Sequence, residues 1–62
     1  MNKIEQDDMD FTVTEEFKTS LDLTLTPNNT LIKIKGDVML DLNEMKQLQK
    51  WVDNAIKQMR EI

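Results

Sequence analysis

The chain has no cysteine, no histidine and no tyrosine, and only one glycine, one proline, one serine and three aromatic residues. Each shortage excludes something. Without cysteine there is no disulfide staple, and without cysteine or histidine the thiolate and imidazole metal sites are gone. The same two absences remove the usual general base and the strongest nucleophile. Ser20, the single serine, has no recognisable activating partner, and Asp7, Asp8 and Asp10 lie in a polar segment with no apolar pocket to prime them. Neither an enzyme nor a cofactor is expected. An EF-hand loop started at Asp8 fails as well, because its sixth and twelfth places are Val13 and Thr19 instead of glycine and glutamate.

Long apolar runs are also missing. The longest, such as Val38-Met39-Leu40, are far short of a transmembrane span, and the stretch Met1 to Asp8 has no apolar core of the signal-peptide kind. The absence of cysteine fits a reducing compartment. These features predict a cytoplasmic chain with no membrane partner.

What is present is a pattern that changes period along the chain. Residues 1–9 are polar and aperiodic, which predicts a flexible acidic arm ahead of a single domain over residues 10–62. From Asp10, apolar Phe11 and Val13 alternate with Thr12 and Thr14, the period of a half-buried strand. Phe17 is expected to turn inward at the following corner. Leu21, Leu23 and Leu25 then alternate with Asp22, Thr24 and Thr26. Pro27-Asn28-Asn29 breaks the run: proline fixes φ for a turn and asparagine tolerates the left-handed region. Asn28-Asn29-Thr30 fits a glycosylation sequon but is read as a turn. Ile32 and Ile34 face inward on a third strand, with Lys33 and Lys35 outward, and Gly36-Asp37 ends it.

Beyond Asp41 the spacing becomes three and four, through Met45, Leu48, Val52, Ala55, Ile56, Met59 and Ile62. That places one apolar stripe on a helix over residues 41–62. Asp41 is its N-cap, and Glu44 three residues on completes a capping box. The predicted architecture is α+β: a two-layer β-β-β-α domain, a three-stranded antiparallel meander with one C-terminal amphipathic helix on one face. The expected inward set is Phe11, Val13, Phe17, Leu21, Leu23, Leu25, Ile32, Ile34, Val38 and Leu40. At 62 residues such a core is marginal, so a homodimer is expected, through the third-strand edge or the helix flank.

Three surfaces are candidates for function. Trp51 falls at the edge of the stripe beside Gln47, Asn54 and Gln58, and tryptophan is the residue type most enriched in interface anchors. The acidic residues Asp7, Asp8, Asp10, Glu15 and Glu16 form a run in which alternate carboxylates of an extended chain, about 6.6 Å apart, roughly repeat a row of phosphates. Lys46, Lys50, Lys57 and Arg60 line one helix flank with Asp53 among them, a pattern read as a solvated face helped by an Asp53–Lys57 pair. The net charge of −4, with six acids against Lys3 in residues 1–16, disfavours direct nucleic-acid binding.

Very short, rich in Asn, Lys, Glu and Asp, and without catalytic side chains, the chain resembles small proteins carried by phages and mobile elements of low-GC bacteria. That resemblance implies a protein that binds and inhibits a host enzyme or defence complex. The expected function is therefore a non-catalytic protein-binding module that modulates or inhibits a larger partner. The alternative is an acidic DNA mimic that blocks a nuclease or other DNA-binding enzyme, and direct nucleic-acid binding by the Thr/Lys sheet face ranks last.

Overall fold

The computed structural model describes residues 2–15 and 19–60. Its elements are β1 (Lys3–Gln6), β2 (Asp10–Thr14), β3 (Ser20–Leu25), β4 (Ile32–Gly36) and α1 (Leu42–Gln58). The strands form one antiparallel sheet in the order β1-β2-β3-β4, with the helix packed on one face. The α+β class and the meander stand, but the sheet has four strands, not three. Residues 3–6 are an edge strand, not a loose arm. Ile4 sits opposite Val13 and packs half-buried on the core. One apolar residue between two charged ones is too short a pattern to register as a period.

Asp7 builds the turn that sets this pairing. Its Oδ1 accepts hydrogen bonds from the N–H groups of Met9 and Asp10, both at 2.8 Å. Its own N–H donates to the Asp10 carbonyl at 2.9 Å. This is an aspartate satisfying nearby backbone donors in a tight turn.

The central strands follow their alternation. Phe11 and Val13 of β2 are fully buried, and Leu23 and Leu25 of β3 are buried beside them. Phe11 lies opposite Leu23, and Leu23 in turn opposite Ile34. Between β3 and β4, Asn28 Oδ1 accepts from the hydroxyls of Thr26 (2.7 Å) and Thr30 (2.8 Å), while Asn29 takes the left-handed conformation at φ 58°. Gly36 closes β4 at φ +107°, where a Cβ would fall on the Ser20 carbonyl. Only glycine fits there.

The helix starts where its cap predicts. Glu44 N–H donates to Asp41 Oδ1 at 2.8 Å, and Asp41 N–H donates to Glu44 Oε1 at 2.9 Å. Asn2 adds its side-chain amide to Glu44 Oε1 (3.2 Å) and to the Met39 carbonyl (3.0 Å), tying the helix start to the outer strand β1. At the other end, Arg60 N–H donates to the Asn29 carbonyl at 2.6 Å, in the β3–β4 turn. The helix thus runs from the start of β1 to the end of the sheet that holds the β1–β2 and β3–β4 turns. It stops at Gln58, four residues short of the expected end; Phe17 and Ile62 of the expected core lie outside the described residues.

That path leaves part of the sheet uncovered. Four strands at about 4.8 Å spacing are wider than a helix about 10 Å across. Ile34, expected in the core, faces the helix side of the sheet but is 67% exposed. Met45 and Ile56, expected within the buried stripe, are 49% and 58% exposed.

Candidate protein-binding surface

Trp51 is not at the edge of the helix–sheet seam but inside it, 3% exposed. It packs on Phe11 with ring centroids 6.0 Å apart and planes tilted by 47°. Its indole N–H donates to the Asp7 carbonyl at 2.8 Å. A bulky side chain drawn at the rim of a helical wheel can lean into the core, and this one does. It leaves no face to offer another molecule.

Its expected neighbours divide. Gln58 is half-buried and donates to the Asp8 carbonyl at 3.4 Å, closing the helix onto the β1–β2 turn. Gln47 lines a shallow cleft with Asn2, Ile4, Asp41, Asn43 and Glu44, and Asn54 is exposed. This polar flank therefore faces β1.

The acidic set does not form an extended row. Asp7 is the turn-builder, Asp8 and Asp10 are separated by a bend, and Glu15 lies beyond the far end of β2. Glu16 lies outside the described residues. Glu5, Asp7 and Asp10 do line one shallow cleft with Gln6 and Thr12. No group of acidic residues among the described residues is placed to hold a metal ion. Lys46, Lys50, Asp53, Lys57 and Arg60 are all exposed, and Asp53–Lys57 is not within ion-pair distance; the one ion pair among the described residues joins Lys3 to Glu5 at 3.4 Å.

The open face of the sheet carries a second shallow cleft, lined by Asp10, Thr12, Asp22, Thr24, Lys33 and Lys35. Cross-strand pairing explains its makeup. Asp22 lies opposite Lys35, and Thr24 opposite Lys33. On this face β2 and β3 carry Asp10 and Asp22, β4 carries Lys33 and Lys35, and β1 carries the paired Lys3 and Glu5.

The apolar flank is the surface that the sequence did not single out. Gln58, Trp51 and Glu44 point toward β1 and its turn, as their hydrogen bonds show. Met45, Val52 and Ile56 lie about 120° further round the helix, by its 100° step per residue, on the flank toward β4. Across from them stand half-buried Ile32 and exposed Ile34. Leu42 and Met39 are exposed as well, but Met39, whose carbonyl accepts from Asn2, lies at the β1 side. The signal lay in the stripe itself, whose members spread too widely around the helix for one narrow contact.

No helix among the described residues is long and apolar enough to cross a membrane. Comparison with protein-family models, with curated proteins and with solved structures gives no match to this chain.

Proposed function

We propose that this chain is a non-catalytic protein-binding module that modulates or inhibits a larger protein, and that it docks through the flank formed by Ile34, Met45 and Ile56. The observation that carries this reading is the exposure of large apolar side chains, Ile34 on the helix side of β4 and Met45 and Ile56 on the helix, in a domain whose core residues are otherwise buried. Each of these three side chains is about half exposed or more, and a contiguous exposed apolar patch is a mark of a protein-interaction site. Met45 suits such a surface, since methionine adapts its shape to a partner. The flat, shallow clefts elsewhere offer nothing comparable for a small molecule.

A photo-crosslinking residue placed at Ile56, and separately at Lys50 on the opposite flank, tests it in lysate of the cell that makes the protein. The expected result is a larger protein linked from position 56 and not from position 50, lost when Ile34→Lys is added. Equal linking from both positions, or none from position 56, would overturn the proposal.

A further inference from the structure

β4 ends the sheet on the side of the apolar flank, and among the described residues its outer edge pairs with nothing. An unpaired strand edge is a template for another strand. Its side chains state what that strand must carry. On the helix side stand Ile32 and Ile34; on the open side stand Lys33 and Lys35, neither in an ion pair among the described residues. The other free edge, β1, differs: it is four residues long, its Lys3 is already paired with Glu5, and Asn2 beside it is tied to the helix.

A second copy of this chain is a poor fit. Side chains alternate faces, so any two-fold antiparallel pairing of β4 with itself that keeps the apolar faces together sets Lys33 or Lys35 against Lys33 or Lys35. Like charges directly opposite are destabilising, and lysines on an edge are a known guard against self-pairing. The same lysines favour a strand of the opposite sign.

Resting on the protein-binding reading, we infer that the occupant is an extended segment of the partner protein that alternates apolar and acidic residues. It adds to β4 as a fifth strand. Its acidic side chains lie opposite Lys33 and Lys35 on the open face, and its apolar side chains enter the flank between Ile34 and Ile56. Backbone hydrogen bonds supply affinity and the alternating side chains supply selection.

The probe is a blocked seven-residue peptide alternating isoleucine with glutamate, titrated to millimolar concentration against the isotopically labelled whole chain. The expected result is slowed hydrogen exchange at the outward amides of β4 together with shifted methyl signals from Ile34 and Ile56. The double variant Lys33→Glu with Lys35→Glu, both exposed positions, should bind this peptide at least about tenfold more weakly. That variant should instead take a peptide with lysine in place of glutamate. Unchanged β4 exchange, or equal binding of acidic and basic peptides, overturns the inference, and so does sedimentation showing that the free chain is already a dimer covering β4. Should the Ile56 crosslink to a larger protein persist unaltered in the double variant, strand addition falls while the binding-module reading stands. Should the crosslink from position 56 be absent in the parent chain, both fall.

Discussion

The indole N–H of Trp51 donates to the backbone carbonyl of Asp7 at 2.8 Å, joining the middle of the helix to a turn 44 residues earlier. The same Asp7 orders that turn through its side chain. One residue thus fixes the first hairpin with its carboxylate and receives the helix with its carbonyl. Trp51→Phe keeps the aromatic packing on Phe11 but leaves the carbonyl without this donor. Denaturant unfolding should show a loss of about 1–2 kcal/mol. Trp51→Ala removes the packing too and should cost about 3–5 kcal/mol, enough to unfold most of a small domain. A Trp51→Ala chain that melts like the parent would show that the side chain lies outside the core.

Substitutions at Asp7 separate charge from geometry. Asparagine retains the acceptor oxygen, so Asp7→Asn should leave the melting temperature nearly unchanged. Asp7→Ala removes the acceptor from two backbone donors and should cost about 1 kcal/mol. For a chain of this length that corresponds to a shift of about 4–8 °C. Equal melting of the two variants would show that the turn holds without the carboxylate oxygen.

The helix start gives an independent check. Asp41→Ala removes one half of the capping box and should destabilise the domain by about 1 kcal/mol. Slow hydrogen exchange at the Glu44 amide should be lost in the same variant, because that amide donates to Asp41. An unchanged melting curve with an unprotected Glu44 amide in the parent would move the helix start elsewhere.

Gly36 should tolerate no side chain. Its φ is disfavoured for L residues, and a Cβ would meet the Ser20 carbonyl, which is backbone and cannot swing away. Gly36→Ala is expected to cost more than about 2 kcal/mol. The amide spectrum is the readout, with loss of dispersion in the residues of β3 and β4. A spectrum that differs from the parent only at the substituted residue would contradict the geometry.

Much of this fold was legible because the deciding residues act locally. Asp41 and Glu44 cap a helix within one turn, Asn29 takes the left-handed region in its own turn, and the alternation through Phe11–Val13 and Leu21–Leu25 reports its own period. The misplaced parts depend on partners distant in sequence. Ile4 is a strand residue only because Val13 lies across from it, and that pairing depends on Asp7. Trp51 turns inward toward a carbonyl that exists in that position only once the first hairpin has closed. Ile34 has the inward alternation of Ile32, but its cover depends on the angle at which one helix crosses four strands. Periodicity finds the stripe, not which side of it meets a neighbour.

The sheet is a run of nearest-neighbour hairpins, whereas the ties of the helix to Asn2 and the β1–β2 turn span 42, 44 and 50 residues. Closing short loops comes first in entropic terms, so the order of events in folding is written into the connectivity. The docking of α1 onto the first hairpin is therefore expected to follow the pairing of the strands. Lesions at its ties, such as Trp51→Phe, should then act mainly by accelerating unfolding, with the refolding rate little changed.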